Sequence, residues 1–206
     1  MTLYIVIVTC FISIAAFYNQ EVFSRLQFNP YQAFHRKEYY RMLSHALVHA
    51  DWFHLIINMY VMYSFGAIIE RYFYELHDMG LLHFPKLYFI FFYATSVLVA
   101  SISTLSKYKD EPLYNSVGAS GGVSAIVFSF IFFNPWQKLY FFGLVPIPGI
   151  VFGAVYLIYS HIMSRRNVGN INHDAHYWGA VYGFIFPLFI DPKLINIFIN
   201  HLISFR

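Results

Sequence analysis

In the stretch NSVGASGGVSAIVFSFIFFNP, residues 115–135, glycines and other small residues gather around Ser120 and run directly into thirteen uncharged residues, 121–133. Asn134-Pro135 closes the segment, because proline cannot continue a helix and disfavours helical backbone in the residue before it. At about 1.5 Å per residue a helix over 121–133 spans roughly 20 Å, short of the roughly 30 Å hydrocarbon core of a bilayer. If its far end reaches the opposite surface, Ser120 is expected beneath the near one. Gly118 and Gly121 permit a tight turn there, leaving first-turn N–H groups unpaired and aimed at whatever meets the hydroxyl.

That reading requires a membrane, and the composition supplies one. The 206 residues are 59% hydrophobic and only 11% charged, against about 25% charged in ordinary soluble domains. The formal charge of +3 includes no basic run of the kind that grips nucleic acid, so no nucleic-acid partner is expected. The single Cys10 lies in an apolar run and cannot form an internal disulfide. Six apolar segments, at about 3–18, 52–69, 87–105, 121–133, 140–163 and 176–190, predict an all-α, polytopic membrane protein. The expected architecture is one bundle of six transmembrane helices occupying 1–206 as a single domain. The first segment has no preceding basic residue and a poor cleavage site, so it is expected to be retained. The connection 19–50 mixes aromatic and basic residues and is expected to lie against the membrane.

Polar residues within such spans are costly unless they face protein or a wet cavity, which makes function their default reading. They cluster at the starts of the second, fourth and sixth segments. In a chain that weaves up and down, these starts share one side. A hydroxyl needs a base to become a nucleophile, and imidazole serves near neutral pH. His176 shares a helical face with Gly179 and Gly183, so the fourth and sixth helices can approach closely enough for His176 to reach Ser120. Asp174, two residues from His176, faces elsewhere, so a Ser120/His176 dyad is expected rather than a triad. The competing reading is a small-residue packing face that happens to include Ser120.

His54 and Asn58, at i and i+4, present donors to one point, where with the Ser120 amide they would stabilise an oxyanion. His45 and His49 have the same spacing, but Ala46 stands where a zinc protease needs glutamate. No metal or cofactor is therefore expected, and the two histidines are expected to hold the long connection in place.

Three motifs, in order, resemble those of the rhomboid intramembrane serine proteases. HALVHADWFHLIIN, 45–58, is similar to the family's second-helix motif; GASG, 118–121, to its G-x-S-G; and AHYWGAVYG, 175–183, to its A-H-x-x-G-x-x-x-G. The resemblance covers 41–183 and implies the minimal six-helix bacterial form. It implies Ser120 as nucleophile, His176 as general base, an oxyanion site of His54, Asn58, the Ser120 amide and the Gly118 region, and a structural His49. Three departures stand out. Tyr40-Arg41 replaces the family's tryptophan-arginine pair while keeping the arginine. In Glu70-Arg71-Tyr72 the arginine of Glu-x-Arg is displaced by one position. Ser124 occupies the place of an aromatic ring stacked on the catalytic histidine, so that ring is expected from Tyr177 or Tyr182.

The expected function is hydrolysis of peptide bonds in or next to transmembrane segments of membrane-protein substrates, which would enter laterally near the fifth helix and the loop after Met163. Pro146 and Pro148 would loosen that helix. A catalytically silent relative that binds and escorts transmembrane helices is the alternative. A transporter would demand paired intramembrane charges, which the spans lack. The resemblance implies a bacterial plasma membrane location with the site facing away from the cytoplasm. Basic residues point the other way: Arg25, Arg36, Lys37, Arg41, Lys107, Lys109, Arg165 and Arg166 lie on the site's side, against Arg71, Lys86, Lys138, Lys193 and Arg206. The sequence does not specify oligomeric state.

Overall fold

The computed structural model describes residues 1–141, 144–166 and 171–204. In chain order its helices are α1 (Thr2–Tyr18), α2 (Gln20–Leu26), α3 (Pro30–His35), α4 (Arg41–Ser44), α5 (Trp52–Asp78), α6 (Pro85–Tyr108), α7 (Ser120–Phe133), α8 (Gly149–Arg166), α9 (His173–Ile190) and α10 (Leu194–Ile203). Strands β1 (Lys138–Phe141) and β2 (Val145–Pro148) form an antiparallel pair between α7 and α8. By length and composition α5 and α6 can each cross a membrane; α9 and α10 make a third candidate only as one span bent by 119°.

Helix α7 is the core. Apart from Ser120 and Val127 its residues are buried, and it packs against α5, α6 and α9. A helix apolar on every side is stable only when surrounded. Lipid tails are as apolar as leucine, so within a bilayer close packing rather than burial holds such a helix in place. The tightest contact is with α9: a methyl group on Gly179 would land on the Gly121 carbonyl, and one on Gly183 on the Ala125 carbonyl. Aromatic rings fill the wider spaces, with Phe73, Phe92 and Phe186 in mutual contact.

The connection 19–50 is built from short helices rather than loop. The Asn19 side chain caps α2, and the Asn29 side chain caps α3, which opens with Pro30 at its first position. Arg41, 6% exposed, donates to the carbonyls of Ser24, Arg25 and Gln27 and pairs with Glu38 at 2.6 Å. Phe28 and Ser116 exchange backbone hydrogen bonds at 2.9 Å, which ties this layer to the turn before Ser120.

Several boundaries differ from the sequence expectation. Tyr140 and Phe141 lie in β1 and Val145–Pro148 in β2, residues 142–143 lie outside the described residues, and the fifth apolar helix begins only at Gly149. Pro146 and Pro148 sit in β2 opposite Tyr140 and Lys138, where a two-stranded ribbon tolerates residues that cannot donate. They therefore do not loosen a helix. Helix α5 continues past Ile69 to Asp78, and α9 starts three residues early because Asn172 caps it by accepting from Ala175 N–H. Helix α10 is an additional element whose His201 donates to the last carbonyl of α7, Phe133, at 2.7 Å.

Candidate active site

Small-residue packing between α7 and α9 sets the central distance of the site: His176 Nε2 lies 2.7 Å from Ser120 Oγ. Both residues line a cavity of about 790 Å³ that also touches His54, Asn58, Asn172 and Tyr156. The polar clusters at the starts of α5, α7 and α9 thus open on one space. An imidazole nitrogen at this distance from a hydroxyl can accept its proton, provided the other nitrogen carries the ring's own.

The turn before Ser120 is held by two histidines from the preceding layer. Gly118 N–H donates to the His45 carbonyl at 2.9 Å, and Ala119 N–H donates to His49 Nε2 at 3.3 Å. Since Nε2 accepts, Nδ1 carries the His49 proton and donates to Ser13 Oγ at 2.9 Å, which in turn donates to the Leu47 carbonyl at 2.8 Å. His49 is therefore neutral, and burial and the neighbouring histidines push its imidazole down to about 3. His45 Nε2 meets Ser101 Oγ at 2.9 Å, so the two imidazoles engage separate partners. The Ser120 amide, next along the turn, has no backbone partner among the described residues.

Within the Gly118 region expected at the oxyanion site, the Gly118 N–H is itself engaged by the His45 carbonyl. The contribution of Gly118 is conformational. With φ at +112°, a side chain there would be strained, and a Cβ would stand 2.6 Å from the His54 ring. His54 thus occupies the space that the missing side chain leaves. Asp51 caps α5 through His54 N–H, and Asn58 Nδ2 donates to the His54 carbonyl at 2.8 Å, with its second hydrogen left over. Gly121, Gly179 and Gly183 bring the helices together, and Arg41 secures the connection above them.

Asp174 and His173 lie in the first turn of α9 rather than in a loop. Asp174 binds Lys107 at 3.0 Å and Ser164 Oγ at 2.5 Å, joining α9 to α6 and α8 away from the His176 ring. The ring beside His176 is Tyr156 of α8, with centroids 6.3 Å apart and planes 22° from parallel. Neither expected tyrosine fills that place: Tyr182 donates to Thr95 and stacks on Phe92, while Tyr177 lies against His161 and Trp178. Sequence reasoning missed Tyr156 because it stands in a different helix from both Ser124 and His176. The one signal was the vacancy implied by a serine at 124.

The Rhomboid domain family matches residues 36–192, more than half of the chain. The chain belongs to the rhomboid family, and with α5 and α6 it is an integral membrane protein. It is 29% identical over 150 residues to the protein named "RHOMBOID-like protein 12, mitochondrial" of Arabidopsis thaliana, a match covering 68% of this chain and 43% of the plant protein. It is also 29% identical over 157 residues to "Putative rhomboid protease YdcA" of Bacillus subtilis (strain 168), covering 76% of this chain and 69% of that protein. The match thus spans less than half the length of the plant relative.

Proposed function

We propose that this chain is an intramembrane serine endopeptidase that hydrolyses peptide bonds in or beside transmembrane segments, with Ser120 as nucleophile and His176 as general base. The 2.7 Å contact between them inside a cavity carries the reading. His176 Nε2 accepts the Ser120 proton as Oγ attacks the scissile carbonyl carbon. The tetrahedral oxyanion is met by the Ser120 amide, the His54 ring and the free hydrogen of Asn58. His176 then returns the proton to the leaving amine, and water, activated by the same imidazole, hydrolyses the acyl-serine.

The substrate would pass between α5 and α8, which both line the cavity, α5 through Phe53, Ile57 and Val61 and α8 through Phe152 and Tyr156. An intact helix keeps its carbonyls in hydrogen bonds, so a segment weakened by glycine or alanine near the cut is the preferred substrate. Part of the loop after Met163, residues 167–170, lies outside the described residues. Six spans form one domain in this reading, with α1 at the edge of the bundle against α5 and the short α7 enclosed by α5, α6 and α9 as crossing helices. The location proposed is a bacterial plasma membrane, the site facing away from the cytoplasm. Arg41 supports that assignment despite the basic excess on this side, since carbonyls and Glu38 engage it as a structural cation. Arg206, counted on the other side, lies outside the described residues.

Labelling of the detergent-purified protein by a serine-directed fluorophosphonate tests the reading. Wild type is expected to take the label and to cleave a test transmembrane substrate, whereas Ser120→Ala and His176→Ala do neither. Equal labelling of all three overturns the protease reading in favour of the silent, helix-binding alternative.

A further inference from the structure

We propose that Tyr156 is the positioning residue for His176: its ring, locked by a hydrogen bond to Ser124, sets the plane in which the imidazole meets Ser120. This inference rests on the proposed roles of Ser120 and His176. Among the described residues the His176 side chain has one hydrogen bond, to Ser120. Among these residues no carboxylate or carbonyl engages the opposite nitrogen, so that bond alone leaves the ring free to tilt. Packing must set the plane instead.

Two rings flank the imidazole. Tyr156 lies nearly parallel to it at 6.3 Å, and His173 stands on edge at 6.0 Å, 80° from its plane. Such separations fall within the range over which aromatic pairs hold a preferred mutual angle. Of the two, Tyr156 is the better fixed. Its hydroxyl meets Ser124 Oγ at 2.6 Å, and its ring packs on Phe152 at 5.8 Å and on Phe128 at 5.5 Å. By contrast, His173 Nδ1 is buried without a hydrogen-bond partner among the described residues. Ser124 has a double part: its small side chain leaves room for a ring arriving from α8, and its hydroxyl anchors that ring. The position of one side chain on α9 is thereby set by a contact between α7 and α8.

The test compares fluorophosphonate labelling rates, kcat and KM for substrate cleavage, and melting temperatures across a variant set. Tyr156→Leu is expected to lower the labelling rate and kcat about tenfold while the melting temperature holds. Adding Ser124→Phe, which supplies a ring from α7 to the vacated space, is expected to restore much of both rates, a recovery that a merely structural role would not produce. If Tyr156→Leu fails to fold, Tyr156→Phe and Ser124→Ala decide, since each removes only the hydroxyl contact. A loss of about fivefold shared by both, and no deeper in the double variant, supports the inference. Wild-type labelling and kcat in Tyr156→Leu, or in both milder variants, overturn it while leaving the protease reading intact. A wild-type protein whose label does not depend on Ser120 overturns both.

Discussion

Single atoms decide whether this site works. His54 reaches the cavity because Gly118 has no side chain and adopts a left-handed backbone. Gly118→Ala is therefore expected to damage the site and the fold together, with the backbone strain alone costing about 1–2 kcal/mol and the His54 ring displaced as well. Circular dichroism melts alongside labelling would read both effects. For the oxyanion, His54→Ala is expected to lower kcat about a hundredfold or more with KM little changed, as removal of one transition-state donor does. An equal loss in Ser120 labelling and substrate cleavage would agree with that role; an effect confined to KM would assign His54 to substrate binding. At this scale Ser120, His176, His54 and Asn58 were legible in the sequence because their chemistry and helical spacing are local properties. Tyr156 was not, because its role depends on which helix faces the vacancy at Ser124.

At the scale of elements, the α7–α9 contact and the layer formed by α2, α3 and α4 position the site. Gly183→Ala should lower the melting temperature sharply, since a methyl group there meets the Ala125 backbone, and overpacking typically costs about 1–3 kcal/mol or more. Gly153→Ala is the control: a Cβ there meets only side chains, at 3.3 Å or beyond, and a small effect is expected. The layer before α5 carries a pH dependence. Burial pushes the His45 imidazole down to about 4, and the His49 imidazole, through burial and neighbouring histidines, to about 3. An unfolded chain protonates both near 6.5. Below that value it binds more protons than the folded chain, so these groups cost stability as pH falls from about 6.5 towards 4. Thermal melts from pH 7.5 to 4.5 should show this fall, and His49→Gln should flatten it; an unchanged slope would remove His49 from the account. The apolar segments announced the main helices through length and hydropathy. The hairpin was hidden because β1 and β2 are stabilised by pairing with each other, and an apolar run before a helix reads the same whether it pairs or continues.

For the whole molecule, the shared cavity at the starts of α5, α7 and α9 predicts a sidedness that cysteine accessibility can measure. In a Cys10→Ser background, Arg36→Cys and Asp110→Cys are expected to react with a membrane-impermeant maleimide in intact cells. His83→Cys and Lys193→Cys should react only after permeabilisation. The reverse pattern would restore the orientation that basic residues alone suggest. What the sequence by itself determined was the membrane setting, the principal helices and the polar side chains that line the cavity, because hydropathy, capping and side-chain chemistry act over a few residues. Only the tertiary structure decided that Gly118 donates to His45, that β1 and β2 pair, and that Tyr156 faces His176. Each of those depends on a contact between distant segments, and close packing among helices in lipid selects such contacts by shape, which no local pattern encodes.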